Sequence, residues 1–263
     1  IQYIWQRNIP FMKQILFILL CCAPLYLLAQ PVAEFQQFNG RLDFTAIGNT
    51  LNEFANSGGG GYCDMLPSSS ANLALTAGQT FVSAHMYWGS VGSGDFDVAL
   101  NGTPVSAQRV FSHSFNGLPY FAAYADVTNI VAAAGNGNYT FSDLDVSAIL
   151  NQYCGTNFGG WGIYIIYSDP SLQLNQISLF DGLESVSANN NSLDITLTSI
   201  DVSSDIFSKI GFLAWEGEES IANGESLYIN GIRKPLWRRM ECRNCTALDR
   251  SFTWSRHQNS LII

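Results

Sequence analysis

The chain has 263 residues, 47% of them hydrophobic, with 12 basic against 21 acidic side chains. Between Gln30 and Gly231 the only basic residues are Arg41, Arg109 and Lys209, against nineteen Asp and Glu, a formal charge of −16. That length can bury a real core in one large or two small β domains, and that charge excludes a nucleic-acid partner, since phosphates are neutralised by Lys and Arg. Anionic membrane surfaces are disfavoured for the same reason, and the acidic, lysine-poor composition suits an extracellular protein.

Met12-Lys13, the apolar run to Leu28 and the pair Ala29-Gln30 have the charged start, apolar centre and small-residue cleavage site of a secretory signal peptide, residues 12–29. Residues 1–11 then read as upstream read-through. The run Ile15–Ala29 is broken by Pro24 and is shorter than the roughly 20 residues of a membrane span, so no membrane insertion is expected after cleavage. Leu20 is a poor residue before a lipidated cysteine, so ordinary cleavage is preferred to lipid attachment at Cys21 or Cys22. Residues 30–231 form the body, expected to be one β-sandwich domain truncated at its C-terminal end.

Cys63 and Cys154 are the only cysteines of the body, and an even pair in an exported chain reads as a disulfide. Gly58–Gly61 precedes Cys63 without the Gly-Lys-Ser/Thr and helix of a phosphate cradle, and reads as a loop. Phe81–Trp88 is rich in strand formers. Asp95–Leu100 alternates, with Phe96, Val98 and Leu100 on one face and Asp95 and Asp97 on the other. Asn101-Gly102 follows as a type I′ hairpin turn, with Val105 to Phe111 as the returning strand. Thr128 to Ala134 is the one segment read as helix, stopping at Gly135. Trp161–Tyr167 is apolar on both faces, as in the middle of a sandwich. Leu193–Thr198 alternates, Ile210–Trp215 reads as an interior strand, and Ser226–Asn230 repeats the strand-then-Asn-Gly pattern. Many short strands with regular turns define an all-β, antiparallel β-sandwich with one short helix near 128–134.

Residues 232–263 hold seven of the twelve basic residues and show no alternation or convincing strand. The preferred reading of this tail is translation out of frame after about Gly231; a natural basic tail, disordered until it meets a partner, is the alternative. Cys242 and Cys245 have knuckle spacing, but no second pair follows to complete a zinc site.

Candidate chemistry is sparse. His85 alternates with Met86 in a strand and reads as structural, and with His113 it completes the body's histidines. No strand–Gly-x-Ser-x-Gly–helix unit is present for a hydrolytic triad. Asp95/Asp97 and Asp143/Asp145 each project from one face of a strand; solvated faces explain them, and a structural calcium site is the alternative. Tyr87, Trp88, Trp161, Tyr164 and Tyr167 are candidates for a sugar-stacking platform if some face outward, with core packing the preferred reading. No catalytic residue is assigned.

Asp97–Val105, Tyr120–Thr128 with its helix, and Gly135–Phe141 together resemble a galactose-binding-like jelly roll. A wider set is similar to the β-rich modules of secreted surface proteins of gliding Bacteroidetes: Gly94–Val98, Ala125–Thr128, Gly159–Trp161, Tyr167–Pro170, Asp181–Leu183 and Gly211–Gly217. That resemblance implies export, commonly through the type IX system, and a cell-surface role in adhesion or gliding. The expected function is binding or display without catalysis, toward an extracellular glycan or surface protein. A carbohydrate-binding module and a secreted hydrolase fragment are the alternatives.

Overall fold

The computed structural model describes residues 31–53, 63–115, 117–187, 189, 191–197 and 209–215, with four short strands at 226–229, 232–234, 253–255 and 260–262. The expected leader, the read-through and most of the tail lie outside these residues. The chain is all-β, with one helix among the described residues.

The body's strands are β1 (Ala33–Gly40), β2 (Leu42–Thr50), β3 (Ser68–Leu73), β4 (Thr80–Val91), β5 (Asp97–Leu100), β6 (Thr103–Ser106), β7 (Arg109–Phe115), β8 (Leu118–Asp126), β9 (Gly137–Ser142), β10 (Gly159–Ser168) and β11 (Asn175–Asp181). A five-stranded antiparallel sheet, in the order β2-β10-β4-β8-β7, is the centre of the molecule. A four-stranded sheet, β3-β9-β5-β6, packs on one face of it, and the ribbon β1-β11 covers part of the other.

The central strands are buried on both sides, which is why they read as continuous apolar runs rather than alternating ones. In β4 every residue from Ser83 to Val91 is buried, and β10 is buried except at Tyr164 and Ser168. Toward the four-stranded sheet, Trp88 and Trp161 lie opposite each other in register and meet Leu100, Tyr139 and Phe141. Toward the ribbon, Phe35 meets Tyr124 edge-on with ring centroids 5.0 Å apart, and Phe38 meets His85 at 5.5 Å. Residues 209–215 lie on another part of that face, Gly211 beside Phe44 and Tyr164 and Leu213 beside Gly162. Gly89 and Gly160 let the Trp215 ring lie against the strands: a Cβ at either would come within 3.3 Å of it.

The Asn101-Gly102 turn is as expected, with φ of 51° and 72°. The return strand differs from the expectation: it ends at Ser106, and Arg109–Phe115 is a separate strand of the central sheet. The two residues between them step from one sheet to the other, with Ala107 N–H donating to Phe96 and Gln108 N–H to Tyr124. Alternation cannot reveal a sheet change that leaves the spacing of apolar residues intact.

The expected helix forms over Thr128–Ala134 as α1. Seven residues are too few to hold a helix alone, so Val131 anchors it in the core while Asp126 accepts from the Thr128 N–H at 2.8 Å. It ends at Gly135, with φ of 67°.

Beyond β11 the strands are short: β12 (Glu184–Val186), β13 (Ser192–Asp194), β14 (Ala214–Trp215), β15 (Ser226–Ile229), β16 (Ile232–Lys234), β17 (Thr253–Ser255) and β18 (Ser260–Ile262). Leu193–Thr198 and Ile210–Trp215 were expected as longer strands; among the described residues of these segments the ladder holds at 192–194 and 214–215. The tail, expected to lack strands, contributes β16 to a hairpin with β15, β17 between β13 and β15, and β18 between β12 and β14. Backbone pairing requires only extended chain, and side-chain alternation is not a precondition for it.

Candidate functional site

The five aromatic residues considered for a sugar platform do not form one. Trp88 and Trp161 are fully buried, Tyr87 is 2% exposed, Tyr167 is 8% exposed and Tyr164 is half-buried. Each indole also spends its donor inside the protein: Trp88 Nε1 on the Asp95 carbonyl at 3.0 Å, and Trp161 Nε1 on Ser69 Oγ at 2.9 Å. Trp161 stacks on Phe141 at 5.7 Å. Tyr167 donates to Asp43, and burial together with that carboxylate pushes its phenol up to about 12. These rings hold the layers together.

The carboxylates do not converge either. Asp95 accepts from the Asp145 N–H at 2.6 Å, and Asp97 accepts from Ser106 Oγ at 2.6 Å. Asp145 accepts from both the N–H and the hydroxyl of Ser147, which holds its carboxyl below the usual range. Asp143 sits at a positive φ of 67°. Asp145 shapes a local turn through Ser147, Asp97 bonds across the β5-β6 hairpin and Asp95 holds a segment fifty positions away, and among the described residues no group of three His, Cys, Asp or Glu is placed to hold a metal ion.

Cys63 and Cys154 form the expected disulfide, with Cα atoms 4.7 Å apart and a sequence separation of 91. It ties the segment leading into β3 to the short 3₁₀ turn Leu150–Gln152.

The densest polar chemistry lies between the central sheet and the β1-β11 ribbon. Ser83 Oγ is 3.0 Å from His85 Nε2, and His85 Nδ1 is 3.0 Å from the Tyr124 hydroxyl. Ser–His contact is the geometry of an activated nucleophile, but the imidazole is fully buried beneath Phe38 and Ser83 is 8% exposed. Burial lowers the His85 pKa, and nearby Asp126 opposes that only in part. Beside this chain, Arg109 makes a two-pronged ion pair with Asp181, Nε to Oδ2 at 2.8 Å and a terminal nitrogen to Oδ1 at 2.9 Å. Burial raises the Asp181 pKa more than Arg109 lowers it. The guanidinium also lies 4.3 Å from the Phe35 ring centroid. Tyr87 Oη, buried nearby, has no hydrogen-bond partner among the described residues, and burial raises its pKa.

All three basic residues of the body clasp the outer layer onto the central sheet. Arg41 donates to the Leu172 carbonyl, Arg109 holds β11 through Asp181, and Lys209 bonds Asp43 of β2 at 2.9 Å. At the sheet's edge His113 Nε2 meets Ser185 Oγ at 2.7 Å, and burial lowers the pKa of this histidine too. These pairings were missed in the sequence, because partners 72 or more positions apart leave no local pattern. The scarcity of cations was the available signal: three among nineteen acids are expected to be paired.

Geometry thus defines a disulfide-bridged β-sandwich with an added outer layer, whose polar clusters are structural clasps. Comparison with protein-family models, curated proteins and solved structures found no match.

Proposed function

We propose that the chain is an exported cell-surface module of a larger adhesin-like or gliding-associated protein, acting by binding or display rather than turnover. The observation that carries this reading is the use made of chemically capable side chains. His85, Ser83, Trp88 and Trp161 are buried in the layers, so the surface offers strand edges, turns and carboxylates. The long-range disulfide fits an oxidising compartment, and the acidic body suits life outside the cell. The resemblance to surface modules of gliding Bacteroidetes points the same way.

The test is retention of the purified chain on glycan arrays and on bacterial cell surfaces, with and without calcium. Retention on one class of surface without chemical change in the bound material is the expected result. No retention on any surface in either condition overturns the reading, and turnover of a glycan replaces it with the hydrolase alternative.

A further inference from the structure

We infer that β1 is an exchangeable strand, and that its second binding place is the β11 edge of another copy of this chain. β1 and β2 are consecutive and separated by Arg41 alone, yet they belong to different sheets and do not pair with each other. Among the described residues, β1 pairs with β11 only. Rotation about the backbone of Arg41 therefore carries the whole of β1 away as a unit, with β1 and β2 becoming one extended strand from 33 to 50. Short hinges between elements of separate sheets are the connections through which strands are exchanged.

The occupant is set by the contacts that β1 makes. It runs antiparallel to β11 from Ala33 opposite Asp181 to Gly40 opposite Asn175, with a bulge between Glu34 and Gln36. The extra residue turns both Phe35 and Phe38 onto the sheet, where a regular strand would place them on opposite faces. Phe35 then lies under Arg109 and against Tyr124, and Phe38 covers His85. An uncovered face would expose a neutral buried histidine and the Asp181 ion pair to water. Only a segment with the same bulge and the same two rings restores that cover, and β1 of a second copy has them by identity. Two copies exchanging β1 reciprocally form a closed two-fold dimer in which the β1-β11 contacts of the monomer are kept and only those at the hinge are lost. The hinge is pinned by exposed contacts at Arg41, whose carbonyl accepts from the Asp169 N–H at 3.0 Å and whose side chain reaches the Leu172 carbonyl.

Gln37 faces Ser178 across the β1-β11 ladder, with side chains 3.4 Å apart, and supplies the test. In the full chain with Cys21, Cys22, Cys242 and Cys245 changed to Ser, Gln37→Cys and Ser178→Cys are made as separate variants. The two are mixed, incubated at high concentration and oxidised. Exchange yields a covalent dimer on a non-reducing gel, at least tenfold above a control mixture of Gln37→Cys with Thr103→Cys, which lies on β6. The double variant Gln37→Cys/Ser178→Cys, oxidised first, locks β1 within its own chain and remains monomeric by light scattering. A mixed sample with no dimer above the control overturns the proposal. So does a double variant that fails to close its internal bridge, since the strand register is then wrong.

Discussion

His85 shows how a residue that looks catalytic becomes structural. Its ring nitrogens are engaged by Ser83 and Tyr124, Phe38 covers it, and burial disfavours its charged form. An unfolded histidine titrates at about 6.5. Because the folded His85 pKa lies lower, acidification protonates the unfolded chain first, and folding stability falls as pH drops below that value. His113, also lowered by burial, adds in the same direction, whereas Asp181, raised by burial, acts oppositely at lower pH. Each histidine contributes at most about 1.4 kcal/mol per pH unit. Urea midpoints are therefore expected to decline between pH 7 and 5, and His85→Gln to flatten the decline while lowering stability at pH 7. An unchanged slope in that variant would place the pH dependence elsewhere.

At the scale of elements, Gly89 of β4 and Gly160 and Gly162 of β10 are contact surfaces for Leu213 and Trp215. A Cβ at Gly89 would stand 2.9 Å from the Phe121 carbonyl oxygen, which is backbone and cannot move aside. At Gly162 the nearest atom would be the Leu213 side chain at 3.6 Å, an ordinary contact. Gly89→Ala is expected to cost about 1–3 kcal/mol, as overpacking does, and Gly162→Ala much less. Chemical denaturation of the two variants checks this, and equal losses would mean that Gly89 is not held against the Phe121 carbonyl as described. The elements most readable in sequence were those with local signals: the Asn101-Gly102 hairpin, the helix after Asp126 and the doubly apolar run at Trp161. The boundary between β6 and β7 was not readable, because a corner between sheets is decided by which neighbour each strand meets.

For the molecule as a whole, the Cys63–Cys154 bridge closes most of the sandwich into one loop. A loop of that size restricts the unfolded chain by about 4 kcal/mol in the chain-entropy model. The double variant Cys63→Ser/Cys154→Ser is expected to melt roughly 10 °C lower, a shift that follows from a loss of that size in a domain of about 200 residues. Scanning calorimetry measures it, and a melting temperature within a degree or two of the parent would show that the bridge constrains little. The outer layer, held by Arg41, Arg109 and Lys209, is the part most dependent on charge, so added salt should loosen it before the central sheet.

Strand-forming composition and turn dipeptides, which act through near neighbours along the chain, were enough by themselves to establish an all-β sandwich, and the even number of cysteines in the body pointed to its disulfide. The sequence could not say which aromatic rings face inward, whether the aspartates converge, or that the few cations fasten a third layer. Those outcomes depend on which strands lie side by side and which faces are covered. The cation clasps, for example, join residues 72 to 166 positions apart, and only the packed chain brings them together.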